Sequence, residues 1–121
     1  MGKLVQWDWE MYDVSVQVNP KVIEPNERII IEWSGYSGPT TVEWKLVPLD
    51  DGTTFVRITE SGFTGDADDL VRYLVDSTQG FTWMLAGLKA LLEHGVRLNL
   101  TADAHPKGLM DVEHRLAAAD R

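Results

Sequence analysis

The chain contains no cysteine, which removes disulfide cross-links, thiol nucleophiles and thiolate metal sites. It also lacks any uncharged apolar run near the ~20 residues that a membrane-spanning helix needs, so no membrane association is expected. The opening residues, Met1-Gly2-Lys3-Leu4-Val5-Gln6-Trp7-Asp8, hold no apolar core of signal-peptide length. Gly2 opens no myristoylation pattern, because Gln6 or Trp7 stands where Ser or Thr is wanted. The expectation is a soluble, cytoplasmic protein. Basic residues are scarce: 11 Lys and Arg against 19 Asp and Glu leave a formal net charge of -8. Phosphate binding needs clustered cations, so nucleic acid is not expected as a partner, and the acidity is read as serving solubility. Asn99-Leu100-Thr101 matches a glycosylation sequon, a chance match where no secretion signal precedes it.

Catalytic motifs are missing as well. His94, His105 and His114 do not have the HExxH spacing that sets two imidazoles on one helical face, so zinc is not expected, and His94 is read as a cation favourable to a helix C-terminus. There is no GxxxxGK[ST] loop for phosphates and no GxSxG nucleophile elbow. No cofactor is called for. Two carboxylate pairs, Asp8 with Glu10 and Glu32 with Glu43, have the spacing to share a sheet face and act as acid and base. Solvated surface charge is the favoured account of both.

What is present is a run of alternating segments followed by helical ones. At 121 residues, 44% hydrophobic and 25% charged, the chain suits one globular domain that buries roughly two-thirds of its unfolded surface. Val5, Trp7, Trp9 and Met11 alternate with polar neighbours, as do Val14, Val16 and Val18. Turn chemistry at Pro25-Asn26-Glu27, Gly35 to Pro39 and Asp50-Asp51-Gly52 separates three further segments, 28–33, 41–47 and 53–60. With no helical period before about Gly65 to serve as a crossover, these five strands form an antiparallel meander. Leu70, Val71, Leu74 and Val75 have helical spacing behind Asp66, Asp68 and Asp69, which predicts a short helix with carboxylates at its positive end; a metal site is the weaker reading of those aspartates.

The segment GFTWMLAGLKALLEHG, residues 80–95, predicts one long helix. Phe81, Met84, Leu85, Leu88, Leu91 and Leu92 form its apolar stripe, Ser77 or Thr78 its N-cap, and Gly95 its left-handed stop with Val96 as the accompanying apolar contact. A second, smaller strip of Trp83, Ala86, Gly87 and Ala90 suggests close approach by a backbone or another element. After Gly95, residues 96–100 read as an extended piece or small strand and 110–119 as a frayed terminal helix.

The order GPTTVEWKLVPLDDGTTFVRITESGF and then GFTWMLAGLKALLEHG resembles the C-terminal part of SRPBCC domains. Within them it is similar to the branch named for the activator of the ninety-kilodalton heat-shock protein ATPase. DGTTFVRITESGF at 51–63 and LAGLKALLEHG at 85–95 carry most of the likeness, which runs from about Trp7 to Pro106. The resemblance implies an α+β helix-grip fold: a curved antiparallel β-sheet packed on a long C-terminal α-helix around a hydrophobic cavity. It implies a domain over residues 1–106 and a C-terminal extension over 107–121. Family members usually begin with a strand and two short helices, and Met1 falls near their second strand, so the expected fold is a shortened one. Its sheet edge and helix would need cover, which motivates a homodimer.

Three functional readings follow. The first is a non-enzymatic binding domain for a small hydrophobic molecule, with Trp7, Trp9, Met11, Trp33, Trp44, Phe63, Phe81, Met84 and Leu88 as cavity residues and Tyr12, Tyr36 or Tyr73 as polar handles. Burial in an ordinary core accounts for any one of these side chains. The second is a protein-interaction module, co-chaperone-like and homodimeric. The third and least favoured is a cyclase-like enzyme using one of the carboxylate pairs.

Overall fold

The computed structural model describes residues 3–9 and 14–119. Five strands, β1 (Val5–Trp9), β2 (Val14–Glu24), β3 (Arg28–Ser34), β4 (Pro39–Pro48) and β5 (Thr54–Ser61), precede three helices, α1 (Ala67–His94), α2 (Leu100–Ala104) and α3 (Leu109–Ala119). The strands pair in the order β1-β2-β3-β4-β5, each antiparallel to the next, which is the expected meander. The chain divides into two compact units, Met1–Gln79 and Gly80–Arg121, with the boundary inside α1.

Alternation sorts the sheet into an apolar and a polar face. The register sets Ile31 opposite Val42, Val18 opposite Trp33, Trp7 opposite Val16, and Trp44 between Ile29 and Ile58, so these residues share one face. Val18, Ile31 and Val42, on three adjacent strands, are buried at its centre. The other face carries Gln17, Asn19, Glu32, Thr41, Glu43, Lys45, Arg57 and Thr59. There Arg28 bonds Glu24 at 2.7 Å and approaches Glu43 at 3.7 Å. The Glu24 hydrogen bond is the main reason its guanidinium binds its proton still more tightly than usual.

Turn residues behave as their chemistry requires. Asn26 adopts φ 64° in the β2–β3 turn, where the Glu27 amide bonds the Glu24 carbonyl at 3.0 Å. In the β4–β5 turn Gly52 has φ 83°, and Asp51 accepts from the Thr53 amide at 2.9 Å and from its hydroxyl at 2.5 Å. Those two bonds hold the Asp51 carboxyl below the ordinary carboxylate range. Pro20 lies in β2 beyond the end of the β1 pairing, which stops at Val5 opposite Val18, and stands opposite Ile31 of β3 next to a register shift. A bulge at Lys21 follows, between Pro20 and Val22, and resets the register.

The helical half differs from the sequence reading in three places. The short helix and the long one are a single 28-residue α1, so Ser77 and Thr78 lie in its interior and cannot be its N-cap. Asp66 is the cap instead: its Oδ1 accepts from the Asp69 amide at 2.8 Å and its carbonyl from the Leu70 amide at 2.9 Å. Gly80 carries the helix onward despite a glycine's entropic cost of roughly 1 kcal/mol. Secondly, residues 96–99 are irregular and lead into α2, so no strand forms there. Thirdly, Gly87 in the strip of small residues has no close neighbour: a Cβ built there would meet nothing within 4 Å.

The stop at Gly95 is as expected. Gly95 has φ 65°, and the amides of Gly95 and Val96 bond the carbonyls of Leu91 and Ala90, both at 3.1 Å. Val96 itself is exposed. In the second unit Phe81, Met84 and Leu85 are half-buried, whereas Leu88, Leu91 and Leu92 of the expected buried stripe are exposed, Leu92 to 74%. Trp83 meets the edge of the His105 ring at 5.9 Å. The terminal segment forms α3, with Leu109, Val112 and Leu116 on its exposed surface.

Candidate functional site

The apolar face of the sheet holds a tryptophan cluster drawn from three strands. Trp7 of β1 meets Trp33 of β3 at 6.0 Å between centroids, with ring planes 82° apart, and Trp44 of β4 at 6.0 Å and 64°. Both are edge-to-face contacts, worth about 0.5–1.5 kcal/mol each beyond area burial. All three indoles are half-buried.

A carboxylate stands on this face, on the outer strand β5. β5 alternates Val56, Ile58 and Glu60 toward the tryptophan side, and Glu60 lies opposite the fully buried Val42. Its Oε2 accepts from the Trp33 Nε1–H at 2.9 Å and from the Thr40 hydroxyl at 2.6 Å. Its Oε1 accepts from the Ser77 hydroxyl of α1 at 2.6 Å. The Trp33 N–H is shared, since it also reaches Thr40 Oγ1 at 3.0 Å. One side chain thus ties β3, β4, β5 and α1 together. Thr40 is buried because it pairs directly with Trp33 across the β3–β4 ladder. Gly35 makes room for it: a Cβ there would stand 2.7 Å from Thr40 Cγ2 and 2.9 Å from its hydroxyl.

A second cluster adjoins in sequence. Tyr36, in the loop after β3, stacks on Tyr73 of α1 at 4.9 Å with planes 12° apart and lies 6.2 Å from Phe63. Its hydroxyl donates to the Asp76 carboxylate. Ser37 of the same loop donates to the Thr64 carbonyl, and the Ser37 and Thr64 hydroxyls lie 3.0 Å apart. The loop between β3 and β4 is therefore fastened both to the segment after β5 and to α1.

Of the cavity residues expected from the sequence, Trp7, Trp33 and Trp44 come together, and Phe63 joins the two tyrosines. Phe81, Met84 and Leu88 belong to the second unit. Trp9 sits on β1 opposite Val14, its side chain outside the described residues, as are Met11 and Tyr12. Glu32 and Glu43 do not form an acid–base site on the tryptophan face. Glu32 pairs with Thr41 and Glu43 with Ile30 on the polar face, where Glu43 faces Arg28. Asp8 and Glu10 have side chains outside the described residues.

Glu60 and Thr40 were not singled out from the sequence, and Ser77 only as an N-cap candidate. A signal was there: Glu60 continues the period-two stripe of Val56 and Ile58, and Thr40 that of Val42 and Trp44, so each polar residue falls in phase with the buried side. Ser77 falls in phase with Leu70, Tyr73 and Phe81, three of the half-buried positions of α1.

Over residues 2–93 the chain matches the family model described as activator of Hsp90 ATPase homolog 1-like protein. The chain belongs to this family. It is a branch of the SRPBCC superfamily, and the curved five-stranded antiparallel sheet with a long helix after it is the α+β helix-grip arrangement. No curated protein sequence matches the chain. The tryptophan cluster, Glu60 and its three donors all lie within the matched part of this activator-homologue domain. No helix among the described residues is long and apolar enough to cross a membrane.

Proposed function

We propose that this chain is a non-enzymatic binding domain for a small hydrophobic molecule, taken up on the tryptophan face of the sheet. The observation that carries the reading is the half-buried Trp7–Trp33–Trp44 cluster with a single convergent acceptor, Glu60, at its edge. Ligand sites are built in this way: apolar and aromatic walls supply affinity, and a few placed polar groups fix orientation. Membership of a family named for a chaperone activator is compatible with it, because one fold hosts many functions. The working boundaries are residues 1–106 for the binding domain and 107–121 for an extension, in a cytoplasmic protein.

The test is a titration of fatty acids, sterols, aromatic polyketides and apolar amines, followed by tryptophan emission and thermal shift. One class should change the emission saturably and raise the melting temperature. Absence of any response would sink the reading.

A protein-interaction module, homodimeric or chaperone-directed, is the second reading. Val71, Leu74 and Val75 on the first turns of α1 are 61%, 48% and 63% exposed, a run of apolar surface that solvent does not favour.

A further inference from the structure

We infer that the molecule bound on this face carries a protonated amine, received by Glu60 against the indole of Trp33. The inference deepens the small-molecule reading and rests on it. Three observations lead there. A carboxylate occupies a position in phase with the core, beside a fully buried valine, where a neutral side chain would be cheaper to desolvate. Its partners are an indole N–H and two hydroxyls, all neutral, and among the described residues no Lys, Arg or His lies within ion-pair reach of it. Its acceptor capacity is also incomplete. An ionised carboxylate offers about four acceptor positions; Oε2 takes two donors here and Oε1 takes one.

An ammonium group satisfies all three conditions at once. It donates to the remaining position on Oε1 and supplies the missing counter-charge, while the neighbouring indoles face its apolar body. The net charge of -8 acts in the same direction, drawing cations toward the molecule and opposing fatty carboxylates. The ligand class is therefore an apolar body with one cationic nitrogen rather than a fatty acid or a sterol.

The experiment compares octylammonium, octanol and octanoate at pH 7 by calorimetry and tryptophan emission on the full chain, with Glu60→Gln and Ser77→Ala beside it. Octylammonium should bind about fivefold to tenfold more tightly than octanol, the range for a partly exposed charge-assisted hydrogen bond, with octanoate weakest. Glu60→Gln should abolish the preference, so that octylammonium and octanol bind that variant equally. Ser77→Ala removes the donor on Oε1, so it should widen the ammonium preference about twofold. Should Glu60→Gln fail to fold by circular dichroism, the Ser77→Ala comparison decides, and a preference unmoved by it overturns the inference. Equal binding of octylammonium and octanol, or a preference that survives Glu60→Gln, overturns it while the hydrophobic-ligand reading stands. Binding of none of the three overturns both.

Discussion

Thr40 shows how a single side chain can depend on a glycine five residues away. Its hydroxyl receives the Trp33 N–H and donates to Glu60, and that position exists only because Gly35 has no Cβ. Gly35→Ala forces a methyl to within 2.7 Å of Thr40 Cγ2, and Thr40 is buried with nowhere to retreat. The expected cost is about 1–3 kcal/mol of stability, measured by urea unfolding, with a shift in Trp33 emission as its indole loses a partner. Gly38, whose added Cβ would meet nothing within 4 Å, is the contrast: it is kept by its φ of 139° rather than by crowding. The two glycines bracket one loop for different reasons.

Among the elements, α1 is where packing overrides local punctuation. Gly80 and a polar stretch, Asp76-Ser77-Thr78-Gln79, read as a boundary between two helices, yet the helix passes through them. Ser77 is held by Glu60 of β5, and Asp76 by Tyr36 of the β3–β4 loop. Tertiary contacts thus use the very side chains that local preference assigns to a cap. Gly80→Ala and Gly87→Ala should each raise stability by about 0.5–1 kcal/mol in chemical denaturation, because an added methyl meets open space and glycine is a poor helix former. The strands were legible because alternation and turn residues are local signals: Val42 and Trp44 point one way, Glu43 and Lys45 the other, and Asp51-Gly52 closes the hairpin. The tryptophan cluster followed from the same alternation. The carboxylate at its edge did not, because Glu60 becomes notable only once the register sets it beside Val42 and the fold brings Ser77 to it. Leu88, Leu91 and Leu92 mark the opposite limit, since helical spacing cannot say which side of an apolar helix finds a partner.

At the scale of the molecule, the exposed Val71, Leu74 and Val75 set a test for self-association. If a second copy covers them, light scattering should give twice the chain's 13.6 kDa, and Leu74→Glu should return the mass to that of one chain without loss of helicity. A wild-type monomer would remove the homodimer. The tryptophan cluster has a further consequence, in spectroscopy. Indoles this close and this steeply inclined couple their electronic transitions, and the coupling gives circular dichroism a paired positive and negative band of its own. Because the three rings come from β1, β3 and β4, that couplet can arise only when the strands are in register. The protein therefore carries an optical gauge of its own assembly, one that needs no label and loses its signal when the sheet loses its order.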